Sequence, residues 1–304
     1  MTYFTGPWPE GKRAAMALTF DIDVSYAYTR SPAPRPEPPG REELLAKQPR
    51  ALSGYSRGLY GLQVGLPRIR AFLRTQDLRA TFFLPSANLE RWPEQFRPLL
   101  EDGHEIAAHG HEHESLPDYR DDPEGEAAIL AASIESFERH LGQRPTGYRS
   151  PAWDMNRHSP GLLAKAGFRY DSSLFAGEAP YRLGLYPGID PEGRDLLEFP
   201  IDWSLDDAPY FLFFMPPVSM AQFHDPDSVY RIWQAELDGI ADEGGLFTLT
   251  CHPSIIGRHH RMAILQRLVA HARARKDLWI APLAEIAAHV ERHWPAAGRQ
   301  SAAE

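Results

Sequence analysis

Short apolar runs that end in polar residues alternate with stretches of helical periodicity along nearly the whole of this 304-residue chain. The apolar runs are AAMALTF (14–20), RATFFLP (79–85), EIAAHG (105–110), TGYRSP (146–151), FRYDSSL (168–174), LLEFPIDW (196–203), GLFTLTCHP (245–253) and WIAPL (279–283). Between them, 66–76, 92–103, 123–141, 159–167, 228–244, 261–275 and 283–294 carry apolar residues at helical spacing, several closed by glycine. Alternation of this kind predicts an α/β fold on a parallel sheet, and about seven units predict a closed or nearly closed barrel. We expect a single domain over 1–295, with a disordered tail at 296–304. Two segments break the rhythm: a Pro-rich arm at 30–42, and 175–227, which reads as an insertion over one rim. In such barrels chemistry gathers at the carboxyl ends of the strands. There stand Asp21, Asp23, His109, His111, His113, Arg149 and His252.

Composition narrows the partners. The formal net charge of −9 offers no basic field for nucleic acid or an anionic membrane. No run reaches the 18 or so apolar residues of a membrane span. One cysteine, Cys251, makes no internal disulfide, and its place beside His252 invites a Cys-His nucleophile. Neighbouring strand residues face opposite ways, so Cys251 reads as a small buried hydrophobe. The N-terminal residues lack a signal-peptide pattern, and a cytoplasmic location is expected.

Four of the chain's 13 histidines fall within HEIAAHGHEH (104–113). His104-Glu105 imitates the start of a zinc-protease helix, but that signature needs its second histidine four positions on, and here it is five. His104 therefore reads as structural. A helical turn after the strand would put His109 and His113 on one side and aim His111 elsewhere; a continuing strand would align all three. TFDID (19–23) crowds two carboxylates at another strand end, which is costly unless a cation or proton intervenes. A divalent ion held by one carboxylate and two imidazoles, with open positions for water and substrate, would relieve it. The other carboxylate would accept the water's proton.

TFDID, HGHEH, YRSP and TLTCH, in this order, resemble the signature segments of the polysaccharide deacetylase family (carbohydrate esterase family 4). Its usual first segment is Thr-Phe-Asp-Asp-Gly; here an Ile is inserted and the Gly is lost. That departure, with SRGLYGLQVGLPRI (56–69), PTGYRSPAWD (145–154) and EFPIDWSLDDAPYF (198–211), is similar to a subgroup of cyclic imide hydrolases, allantoinase-like proteins and cytosolic peptidoglycan deacetylase homologues. The resemblance implies a distorted (β/α) barrel. It implies Asp23, His109 and His113 as metal ligands and Asp21 as the base for water on the metal. It also implies His252 as the acid that protonates the leaving nitrogen, and Arg149 as the partner of the catalytic Asp. Pro151 and Trp153 would lie near the pocket. The family's later Asp and Trp have no clean counterpart, and Trp203, Asp206 and Asp207 are the candidates.

Together these imply a divalent-metal-dependent hydrolase of a carbon–nitrogen bond. Zn²⁺ is the first expectation, with Co²⁺, Ni²⁺, Mn²⁺ or Fe²⁺ also compatible with the donor set. The expected substrate is a small cyclic imide or amide, the alternative an N-acetylated amino sugar of peptidoglycan or chitin type. A homo-oligomer is expected by analogy. Tyr210, Phe211, Phe213 and Phe214 read as core or subunit contact, and His259 and His260 as solvated.

Overall fold

The computed structural model describes residues 3–24, 52–186, 188–189, 196–214, 220–221 and 223–294. The Pro-rich arm at 30–42 and the tail at 296–304 lie outside the described residues. The strands are β1 (Ala14–Asp21), β2 (Thr81–Leu84), β3 (Glu105–Ala108), β4 (Gly147–Tyr148), β5 (Tyr170–Asp171), β6 (Tyr181–Arg182), β7 (Leu197–Glu198), β8 (Phe213–Phe214), β9 (Met220–Ala221), β10 (Leu246–Cys251) and β11 (Leu278–Ile280). The main sheet runs β10-β1-β2-β3-β4-β5-β7-β6, with β11 also on β1. Every pairing in it is parallel except β6 with β7. β8 and β9 form a separate antiparallel pair.

β1 is buried along its whole length, as a strand covered on both faces must be. Its alternation sorts the two layers. Ala15 and Ala17 pack with Phe83, Ala107, Tyr170 and Leu246 inside the curled sheet, while Met16, Leu18 and Phe20 pack beneath the helices. Small residues on the inner face of β1 leave space that the aromatic rings of β2 and β5 fill.

The interior is closed below by the helix Leu283–His293. Glu105 accepts hydrogen bonds from Thr81 Oγ1, Tyr170 OH and Ala284 N at that helix's first turn. Burial pushes its carboxyl up, and these three donors oppose the rise. An isolated parallel bridge between Asp206 and Thr250 ties the segment after β7 to β10 at one edge of the sheet. The expected distorted (β/α) barrel is thus present as a curled sheet, with no strand pair closing it among the described residues.

The helices follow the periodic stretches. Asp122 and Asp225 cap the starts of Pro123–Leu141 and Pro226–Glu243, and the left-handed Gly142 and Gly244 end them. Sequence reading misses the helix Leu52–Tyr60 and the π-helical turn Gly61–Gly65 next to it. The 175–227 segment is not a simple insertion, because it carries β6, the sheet strand β7 and the β8–β9 pair. TGYRSP shortens to two strand residues, since the chain leaves the sheet at Arg149 to enter a turn in which Ala152 and Trp153 are both left-handed.

Candidate active site

Asp21, the last residue of β1, and Arg149, the first after β4, meet inside the barrel. Arg149 Nη1 donates to Asp21 Oδ1 at 2.8 Å and to Thr19 Oγ1 at 2.9 Å. Its Nε donates to the Ser172 carbonyl at 2.9 Å and its Nη2 to Ser172 Oγ at 3.0 Å, and the guanidinium lies 4.1 Å from the Phe83 ring centre. Both side chains are fully buried, so the pairing is charge-assisted in a dry interior.

Two residues further on, Asp23 faces two imidazoles. His109 Nε2 lies 3.6 Å from its Oδ1, and His113 Nε2 lies 3.7 Å from its Oδ2. His109 comes straight from the end of β3. Beyond it the chain forms neither a helical turn nor a continuing strand. Gly110 (φ 71°) and His113 (φ 66°) are left-handed, and this double kink folds the second ring back onto the first. A Cβ on Gly110 would stand 2.8 Å from Glu114 Oε2 and 3.1 Å from Pro151 Cγ, so the kink requires glycine. Glu114 holds the turn by accepting from the amides of His111 and Glu112. The ring of His111 turns away, with Nδ1 2.8 Å from Ser86 Oγ.

The three groups fit a divalent ion. His109 Nδ1 lies 2.8 Å from the Arg149 carbonyl, which can only accept, so Nδ1 carries the proton and Nε2 presents its lone pair. Asp23 Oδ1 is buried without a hydrogen-bond partner. The 3.6 and 3.7 Å separations are too long for hydrogen bonds. They are close to the roughly 3.4 Å between two donors that share a tetrahedral ion at about 2.1 Å. Burial alone would raise the Asp23 carboxyl, but His113, His252 and His109 outweigh it and hold it well below the usual carboxylate range. Burial, with His109 beside it, pushes His113 down to about 4 despite Asp23, which keeps its ring neutral and able to ligate.

His252 comes directly after β10. Its Nδ1 lies 2.7 Å from Asp207 Oδ1 and its backbone N–H donates to the same carboxylate, while Asp206 Oδ1 is 3.5 Å away. This leaves Nε2 aimed into the site, 3.4 Å from Asp23 Oδ2. Burial would lower this imidazole; Asp206 and Asp207 outweigh it and raise it well above the ordinary histidine range. Burial in turn pushes Asp206 up to about 8. Both acids are buried, and Asp207, hydrogen-bonded to the backbone nitrogen and Nδ1 of His252, is the one in direct contact with it.

A positioning element that sequence reading missed lies beneath His252. The π-helical turn Gly61–Gly65 packs on the backbone of Pro253 and Ser254, and a Cβ on Gly65 would fall 2.0 Å from the Pro253 carbonyl oxygen. Gly61 and Gly65 in GLYGLQVG were the available signal, and their reason is this backbone contact.

The remaining candidates divide. Pro151 is buried against Gly110, and Trp153 is buried with its ring centre 5.8 Å from the Arg149 guanidinium. Trp203 stacks on Trp153 at 4.3 Å but is half exposed. His104 is buried, with Nδ1 accepting from the Ala80 amide. Cys251 is buried on the opposite side of β10 from the site. His259 and His260 are exposed. Tyr210 is half-buried and Phe211 buried, and the side chains of Phe213 and Phe214 lie outside the described residues. No helix among the described residues is long and apolar enough to cross a membrane.

Residues 60–170, a span that includes His109, His113 and Arg149, match the family model for polysaccharide deacetylases. A peptidoglycan deacetylase of Helicobacter pylori is 29% identical over 246 residues, which cover 74% of this chain and 83% of that protein. A crystal structure from Mycobacterium smegmatis, assigned to the polysaccharide deacetylases, is 37% identical with a TM-score of 0.82, covering 95% of this chain and 94% of that one. An allantoinase crystal structure superposes with a TM-score of 0.77 over 96% of both chains at 22% identity, a likeness of fold alone.

Proposed function

Because the chain belongs to the polysaccharide deacetylase family, hydrolases of carbon–nitrogen bonds other than peptide bonds, we propose that it cleaves an amide or imide with Asp21 as base and His252 as acid beside a divalent ion. The observation that carries this reading is the convergence of Asp23, His109 and His113, with donor atoms 3.6 and 3.7 Å apart, next to the Nε2 of a carboxylate-held His252.

Asp23, His109 and His113 would hold the ion, which when bound supplies Lewis acidity toward water and the scissile carbonyl. Asp21 receives the proton of the attacking water, and Arg149 fixes its carboxylate in one orientation. The pair is sealed inside the barrel, so bulk water does not compete for the base. His252 faces the site with the nitrogen that Asp207 does not engage. From there it donates a proton to the departing nitrogen, which leaves poorly as an anion. Asp207 sets the tautomer and the plane of that ring, the task an orienting carboxylate performs in a catalytic triad. Each proton transfer is worth roughly 10²–10⁴-fold in rate.

For the substrate we favour a small cyclic imide or amide. The side chains of Asp23, His109, His113 and His252 are between 2 and 17% exposed, and this shielding of the reacting atoms from solvent favours a compact substrate over a polymer. The likeness to the H. pylori peptidoglycan deacetylase supports the second reading, in which only the acetamido arm of an amino sugar enters. The test is turnover of succinimide and phthalimide against acetate release from N-acetylglucosamine oligomers, each before and after chelation. Chelation-sensitive turnover of the imides is expected. Acetate release without imide turnover would favour the second reading, and no turnover of either would overturn both.

A further inference from the structure

A cavity of about 530 Å³ opens where the main sheet leaves one edge of β10 without a neighbouring strand among the described residues. It lies between β10, the residues just after β7, the helix Pro226–Glu243 and the N-terminal residues 3–5. Its size is that of a small-molecule site. None of Asp21, Asp23, His109, His113, Arg149 and His252 lines it, so it is separate from the chemistry proposed above.

The floor of the cavity holds an unsatisfied hydroxyl. Thr248 is 1% exposed and lines the space, and its Oγ1 is buried without a hydrogen-bond partner. Such a group costs free energy until something bonds to it. The backbone beside it faces the same way. Leu246 N donates to the Glu178 carbonyl, and Asp207 N donates to the Thr250 carbonyl, both across this edge of β10. Strand residues two apart direct their backbone groups alike, so the amide and carbonyl of Thr248 also turn to this edge.

Four carboxylates line the walls: Glu178, Asp202, Glu236 and Glu243. Among the described residues no lysine, arginine or histidine forms an ion pair with any of them. Burial raises the Glu236 carboxyl, and Glu178, Asp202 and Glu243 raise it further, so the acids sense one another across the cavity. They do not converge on a point. Among the described residues, the ligating atoms close enough to share one ion belong to Asp23, His109 and His113 or to Asp206, Asp207 and His252. A metal ion therefore does not match the charge in this cavity, whereas a cation with charges spaced along a chain does. Phe4, Leu205 and Ile240 add apolar lining that polymethylene links can cover. We propose that the cavity binds a linear aliphatic polyamine. One ammonium group donates to Thr248 Oγ1 at the floor, and the others meet the carboxylates of the walls in charge-assisted hydrogen bonds.

The test is calorimetric titration of the full chain with spermidine at fixed ionic strength. Two controls accompany it: 1,8-octanediol, which has the chain without the charge, and Mg²⁺, which has the charge without the chain. Saturable binding of about one spermidine per chain is expected, with octanediol at least about ten-fold weaker and Mg²⁺ unable to displace the polyamine. Glu236→Gln and Thr248→Val should each weaken spermidine binding about ten-fold. Thr248→Ser keeps the hydroxyl and should bind as the parent protein does. Glu124→Gln removes an exposed acid outside the cavity and should leave binding unchanged. Absence of saturable binding, displacement by Mg²⁺, equal affinity for octanediol, or parent-like affinity in Glu236→Gln or Thr248→Val would each overturn the proposal. An equal loss in Glu124→Gln would mark general attraction to an acidic surface and would overturn it as well. No readout involves turnover, so the outcome is independent of the functional reading.

Discussion

Arg149 donates to Asp21 across 2.8 Å inside the barrel, and neither side chain reaches solvent. Removing one partner strands the other as a buried charge. Arg149→Met should therefore cost about 3–5 kcal/mol of stability, read from denaturant unfolding. Asp21→Asn keeps the shape and removes the base, so kcat should fall about 10²–10⁴-fold with the bound ion retained. Loss of the ion in Asp21→Asn would move Asp21 into the ligand set.

Asp207, rather than Asp206, holds His252 through both ring and backbone nitrogens. Asp207→Asn should lower kcat by at least about 10²-fold, because the amide can support the wrong ring tautomer. Asp206→Asn should cost less than about ten-fold. The reverse ranking in steady-state kinetics would reassign the supporting acid.

Gly65 allows the π-helical turn to touch the backbone after His252, and a Cβ there would collide with the Pro253 carbonyl oxygen at 2.0 Å. Gly65→Ala must shift this loop and with it His252. Activity should fall by more than ten-fold while ion binding is retained, since Asp23, His109 and His113 come from other strands. Wild-type kinetics in Gly65→Ala would show that the loop does not position the acid.

His104 is a buried neutral base, lowered from 6.5 to about 4 chiefly by burial. The unfolded chain takes up this proton first as pH falls, so stability is complete above about 6.5 and declines until about pH 4. Urea midpoints between about pH 7 and pH 4.5 should fall more for the parent protein than for His104→Asn. Parallel declines would place the acid sensitivity elsewhere.

The fold was legible because each strand–helix unit signals itself locally: an apolar run, a polar strand end, a periodic helix and a glycine stop. The long buried strands β1 and β10 and the helices from 123 and 226 stand where periodicity puts them. The curl of the sheet was less legible. The bridge that brings the segment after β7 against β10 joins Asp206 and Thr250, residues 44 positions apart that carry no periodic signal. The residues that the structure brings together in the candidate site are ones the sequence named, but the way His109 and His113 converge was not legible. That depends on left-handed backbone at His113, which spacing alone does not reveal. Asp207 stood among the candidates, but its contact with His252, like that of Gly65 with Pro253, joins residues distant in sequence, which no pattern within one segment reveals.

The central claim is that Asp23, His109 and His113 hold one catalytic divalent ion. Its most direct measurement is stepwise addition of Zn²⁺ to chelated protein, tracking bound ion and turnover together. Both should rise and level off at about one equivalent per chain, and His109→Ala should show neither. Full turnover in the chelated protein, or undiminished ion binding by His109→Ala, would contradict the account.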